Sequence, residues 1–93
     1  MKNYEVMFIV KPIGDDEVSK VIEKVERIIA ERGKVEDKDL WGVKRLAYEI
    51  EGFNDGFYAL ISFVADVELV KELDRKLKLE ENIMRYMIIR KGE

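Results

Sequence analysis

Leu40-Trp41-Gly42-Val43-Lys44-Arg45-Leu46-Ala47-Tyr48-Glu49-Ile50 is the stretch on which the fold turns. It holds the only tryptophan, a glycine directly after it, and a Lys-Arg pair inside an otherwise apolar run. Side chains of an extended segment alternate between faces. That puts Leu40, Leu46, Tyr48 and Ile50 on one side, with Trp41, Val43, Arg45 and Ala47 on the other. Neither side is purely polar, so the segment is a central strand or an edge that meets a partner. Taken alone, it reads most simply as a core strand with two incidental cations. Strict alternation assigns Leu46 and Tyr48 to the core and leaves Trp41 and Arg45 on the other face. Lys44 must then snorkel out past whatever covers the core side.

Working outward, Gly52, Asn54, Asp55 and Gly56 read as a turn, and residues 57–64 as the next strand. In that strand Phe57, Ala59, Ile61 and Phe63 oppose Tyr58, Leu60, Ser62 and Val64. On the other side, Gly33 reads as a helix C-cap that tolerates positive φ. Before it, Val18, Val21, Ile22, Val25, Ile28 and Ile29 make one helical stripe, with Glu23 and Arg27 paired outside and Asp15 or Asp16 as N-cap. Residues 3–11 alternate as a strand, with Tyr4, Val6, Phe8 and Val10 on one face, and Pro12 ends it. Beyond the third strand, Asp66 caps a second helix striped by Val67, Val70, Leu73 and Leu77. Glu72–Lys76 and Asp74–Lys78 pair along its outside. Asn82 breaks that helix, and Ile83–Arg90 is a fourth strand.

The order is strand, helix, strand, strand, helix, strand. Two one-sided helices must cover one face of a four-stranded sheet, and right-handed crossovers favour the split βαβ arrangement. The expectation is an α+β, ferredoxin-like βαββαβ sandwich, a single domain over residues 1–93, with an antiparallel sheet in spatial order four-one-three-two. Lys2 then lies beside Arg90 and Lys91, and Lys11 near Arg85. Met7, Ile9, Tyr58, Leu60, Met87 and Ile89 point away from the helices. An uncovered apolar patch of that size commonly marks a partner.

Composition narrows the function. The chain is 47% hydrophobic and 40% charged, against about 25% charged in ordinary domains. A net charge of −3 argues against coating nucleic acid by bulk attraction, so any polyanion site must be local. There is no Cys, His, Thr or Gln, and Ser occurs only at 19 and 62. That composition removes thiol and imidazole chemistry and most zinc or copper sites, and it resembles chains from hot-growing sources. Apolar runs are short, and Met-Lys-Asn-Tyr is no signal peptide, so an intracellular chain with no membrane span is expected. Asp15, Asp16 and Glu17 read as dipole partners of a helix start, not as a metal site. Residues 52–56 lack the lysine and the spacing of a phosphate or dinucleotide loop. No catalytic residue, cofactor, metal or small-molecule substrate is expected.

The same element order fits an RNA recognition motif, whose third strand reads cation, Gly, aromatic, Gly or Ala, aromatic. Here it reads Asp55-Gly56-Phe57-Tyr58-Ala59, with Phe57 aimed at the helices. Base-stacking recognition of that kind is disfavoured.

A family resemblance covers essentially the whole chain. Asn3-Tyr4-Glu5-Val6, Trp41-Gly42 leading into Lys44-Arg45-Leu46-Ala47-Tyr48, Gly56-Phe57-Tyr58, and Asn82-Ile83-Met84-Arg85 followed by Met87 resemble bacterial small-subunit ribosomal protein six. Two departures stand out. Glu49 replaces a common proline, and the sequence stops at Glu93 where many members carry a longer tail. The resemblance implies a structural, cytoplasmic ribosomal protein with the ferredoxin-like fold. It would bind the central domain of small-subunit ribosomal RNA together with small basic small-subunit ribosomal protein eighteen. On that reading Lys2, Lys44, Arg45, Arg85, Arg90 and Lys91 are the candidate RNA contacts. Trp41, Met7, Tyr58, Leu60 and Met87 are the candidate partner surface. The alternative class is a non-ribosomal ferredoxin-like binding or regulatory module.

Overall fold

Strand β1 (Lys2–Val10) carries Tyr4, Val6, Phe8 and Val10 at alternate positions, and all four are buried. The computed structural model describes residues 1–92, so Glu93 lies outside the described residues. From β1 the chain runs through helix α1 (Asp15–Ala30), β2 (Lys34–Ile50), β3 (Phe53–Ala65), α2 (Val67–Leu79) and β4 (Ile83–Arg90). The sheet order β2-β3-β1-β4 is the expected order counted from the other edge, and all three pairings are antiparallel. All six stripe residues of α1 are buried, and they join Ala59, Ile61 and Phe63 of β3 in the main core. The six-residue stripe was readable because its spacing leaves one helix face apolar.

Several local readings change. Helix α1 is preceded by Gly14 at φ 110, with no side-chain cap; Asp15, Asp16 and Glu17 sit inside the first turn, against the positive end of the helix dipole. Gly33 is needed for closeness, not for a left-handed backbone. A Cβ there would stand 2.5 Å from the Val64 carbonyl oxygen and 2.9 Å from Leu69 Cδ2. In α2, Leu69, Leu73 and Leu77 are buried, whereas Val67 is 53% exposed. The Asp66 carboxylate accepts a hydrogen bond from the Leu69 N–H at 2.8 Å, so Val67 opens the helix at its wet edge. That bond, with Arg32 close by, holds the Asp66 carboxyl below its usual range.

The turn is also shorter than its composition suggests. Glu51 and Gly52 have φ of 50 and 84, and Ile50 pairs with Phe53. This is a two-residue hairpin of the type whose twist suits the strands it joins. Asn54, Asp55 and Gly56 therefore belong to β3. Outside, Glu72–Lys76 (3.6 Å) and Asp74–Lys78 (3.3 Å) form as expected. The shortest ion pair on that helix is Glu72–Arg75 at 2.6 Å.

Strand β4 is tied to α2 by the Tyr86 hydroxyl, which donates to Asp74 Oδ1 at 2.6 Å. Burial first, and Asp74 second, push the Tyr86 phenol up to about 12, while the Tyr86 hydrogen bond holds the Asp74 carboxyl below its usual value. The bond's contribution should be complete between the unfolded carboxylate and phenol pKa values. It should fade as pH rises past about 10 through the folded phenol's value, or falls below about 4 through the lowered Asp74 value. Tyr86→Phe should cost about 1 kcal/mol at neutral pH and remove the alkaline fade. Denaturant unfolding of both chains across pH checks this.

Candidate interface on the open sheet face

The pairing registers map the face that carries no helix. Asp39, Leu60, Met7 and Met87 lie in one row across the sheet; Tyr58, Ile9 and Arg85 lie in the next. Met7, Tyr58 and Leu60 are half-buried, Met87 and Ile89 are exposed, and Ile9 is buried. The expected apolar patch is present, but one end of it is covered.

The cover comes from β2, and it follows from an interruption in the alternation. Leu40 opposes Ala59 and Gly42 opposes Tyr58, so β2 gains one residue at Trp41, with Gly42 at φ 86. A bulge with a left-handed glycine inverts the faces of everything after it. Trp41 lies over Tyr58, ring centroids 6.2 Å apart and planes 12° from parallel. Lys44 now opposes Gly56 on the open face, while Arg45 opposes Asp55 with the other parity. The expected assignment of Arg45 to the open face and Lys44 to the helix side is thus reversed. Both still border one open hollow of about 510 Å³ with Trp41 and Tyr58.

The same inversion moves Leu46. It is buried, as expected, but in a second cluster with Ile9, Ile50 and Met84, flanked by Phe53 and Tyr58. Gly56 makes this possible. A Cβ there would collide with Ile9 Cγ2 and come within 2.9 Å of Met84 Cε and 3.4 Å of Leu46 Cδ2. Past Arg45 four residues, Leu46–Glu49 in sequence, face only Asn54, because Arg45 pairs with Asp55 and Ile50 with Phe53. Tyr48 sits in that expanded segment and is 67% exposed, so its expected core role is wrong. Nothing in a strict period-two reading signals this. The glycine after Trp41 was the available clue, since glycine inside a strand often marks a bulge.

Gly42→Ala should therefore strain the bulge by about 1–2 kcal/mol and loosen Trp41 from Tyr58. With a single tryptophan in the chain, a red shift in its fluorescence beside a lower unfolding midpoint reports both effects.

The basic residues fall in three places. Lys44 and Arg45 flank the aromatic hollow. Arg85 projects between two smaller apolar hollows, one beside Met7, Ile9 and Met87 and the other beside Leu46, Ile50 and Tyr58. Lys2 and Lys91 line a fourth hollow, of about 180 Å³, with Met1 and Asn3 at the far end of β1. Lys91 also reaches Glu5 at 3.9 Å, and Arg90 pairs with Tyr4 in register. Lys11 follows two residues after Ile9, which pairs with Arg85. Its ammonium goes to Glu51 at 3.4 Å and lies 6.0 Å from the Phe53 ring centroid. Among the described residues no cluster of acids is placed to hold a metal, and no helix is long and apolar enough to cross a membrane.

The family model for ribosomal protein S6 matches residues 3–90. The chain belongs to the ribosomal protein S6 family. It is 44% identical over 90 residues to the small ribosomal subunit protein bS6 of Clostridioides difficile, covering 96% of this chain and 98% of that one. It is also 44% identical over 95 residues to the Desulforamulus reducens protein of the same name, with full coverage of both. Among solved structures, 30S ribosomal protein S6 from Thermotoga maritima superposes with TM-score 0.90 at 34% identity, over 97% of this chain and 87% of that one. The C-terminal domain of the MgtC protein from Mycobacterium tuberculosis shares the fold alone, at TM-score 0.60 and 11% identity. Membership in the S6 family makes this chain a ribosomal protein and not an enzyme.

Proposed function

We propose that this S6-family chain is a structural component of the cytoplasmic small ribosomal subunit. It binds the central domain of the ribosomal RNA together with the small basic ribosomal protein eighteen. The observation that carries the reading is the open face. An apolar belt of Met7, Leu60 and Met87 there runs into a hollow where Trp41 and Tyr58 stack beside Lys44 and Arg45. Apolar and aromatic surface suits a protein partner, and flanking cations suit phosphates. Lys44, Arg45 and Arg85 serve phosphates at one end of the sheet, and Lys2, Arg90 and Lys91 at the other. Eight strand positions separate Lys2 from Val10, roughly 27 Å, so one RNA surface must span the sheet to use both ends.

A chain of net charge −3 with scattered cations holds RNA weakly by itself. A cationic partner bound to the same complex raises its affinity by linkage. Central-domain RNA should therefore bind weakly and salt-sensitively to the chain alone, and at least about tenfold more tightly when the basic partner is present. Filter binding across salt, beside co-sedimentation with small subunits, tests this. Equal RNA affinity with and without the partner, or no co-sedimentation, would overturn this reading.

A further inference from the structure

Strand β2 brings Trp41 onto the open face through its bulge, which inserts that residue between the Leu40–Ala59 and Gly42–Tyr58 pairs. Bulges commonly re-aim a side chain in this way. The indole stacks on Tyr58, and both rings border the hollow of about 510 Å³, a volume within the range of small-ligand sites. Lys44 and Arg45 complete its lining, and among the described residues no acid borders it. Lys24, Arg32 and Lys38 are held by Glu80, Asp66 and Glu26 at 2.8, 2.8 and 3.3 Å. Lys44 and Arg45, by contrast, make no ion pair or side-chain hydrogen bond with any described residue. Charge also divides the open face. One row across the sheet reads Asp37, Ser62, Glu5 and Ile89, and the next reads Asp39, Leu60, Met7 and Met87. Acids therefore flank the apolar belt, and cations flank the rings.

We infer that the hollow takes one unpaired base of the RNA, stacked on Trp41, with its flanking phosphates on Lys44 and Arg45. Such a site rests on the ribosomal reading above, and it moves Trp41 and Tyr58 from the partner surface to the RNA. Charge decides between the two occupants. Two unpaired cations attract a polyanion and oppose a small basic protein, whereas Asp37 and Asp39, also unpaired among the described residues, suit that basic protein over the belt. Shape decides which part of the RNA enters. A base inside a duplex has both faces covered by its neighbours, so only an unpaired one offers a ring to stack on. Aromatic rings beside a cationic track hold single-stranded nucleic acid in this manner, with little regard to its sequence. The platform differs from that of an RNA recognition motif. There the rings come from the third strand, whereas here Phe57 packs on the helix-side core and β2 supplies the indole.

The single tryptophan reports on the site directly, because a base stacked on an indole quenches its emission. When the full chain is mixed with the basic partner alone, Trp41 emission should stay as in the free chain. Adding central-domain RNA should then quench it. Trp41→Phe keeps a ring, and it should assemble with RNA and partner within about threefold of the unmodified affinity. Trp41→Leu is apolar without a ring, and it should lose at least about tenfold. Both variants keep apolar bulk over Tyr58, so both should fold. A change in Trp41 emission that is complete with the partner, before RNA is added, would give the hollow to the protein and overturn the base site. So would a complex that forms with the emission unquenched, or one that Trp41→Leu and Trp41→Phe join equally well. In each of these cases the ribosomal reading stands. No assembly in any mixture would overturn that reading and the base site with it.

Discussion

Leu46→Ala should cost about 2–5 kcal/mol of stability although Leu46 lies outside the main core. The side chain is 7% exposed and closes the second cluster over Ile9, Ile50 and Met84, in the space that Gly56 leaves open. Removing its branched end creates a cavity that the β2–β3 ribbon cannot easily collapse into, because Gly52 and the Ile50–Phe53 pairing fix the ribbon's end. Tyr48→Ala is the control. At 67% exposure it should change stability by no more than about 0.5 kcal/mol. Denaturant midpoints at unchanged slope measure both. Equal costs at the two sites would mean that the alternation is unbroken and that no bulge turns Leu46 inward.

Trp41→Ala is expected to separate stability from assembly. The ring is 43% exposed and stacks on Tyr58, so the domain should lose only about 0.5–1.5 kcal/mol. As the large anchor at the centre of the proposed surface, it should cost about 2–4 kcal/mol of binding to the RNA–partner assembly, roughly 30- to 800-fold in affinity. Lys44→Ala and Arg45→Ala should each lower the salt slope by about one if the residue meets a phosphate. Trp41→Ala should leave that slope unchanged. A titration at several salt concentrations resolves the three variants. Assembly that is indifferent to Trp41 would remove the hollow from the interface.

Much of the fold was legible because burial repeats along it. The α1 stripe, the inward faces of β1 and β3, the Asp66 cap and the bounds of β4 each follow from a period or a cap that one residue type satisfies. What was not legible depends on pairs distant in sequence. Gly33 and Gly56 look like turn residues, yet each is a place where another element comes too close for a Cβ. The candidate site was half legible for the same reason. Trp41, Tyr58, Lys44 and Arg45 could be named from the sequence, but which cation shares the aromatic face depends on one inserted residue against β3. The Lys11–Glu51 ion pair was not legible either, because only the hairpin brings that acid beside Lys11.

The central claim is that the helix-free face is the ribosomal one, and oxidative footprinting of side chains tests it most directly. Trp41, Tyr58, Met7 and Met87 lie on that face, whereas Val67 and Leu79 belong to α2 and are 53% and 69% exposed. Hydroxyl-radical labelling of the free chain and of the chain assembled with central-domain RNA and the basic partner should show Trp41, Tyr58 and Met87 strongly protected, with Val67 and Leu79 unchanged. Protection of Val67 and Leu79 with Trp41 and Met87 still labelled would contradict the account.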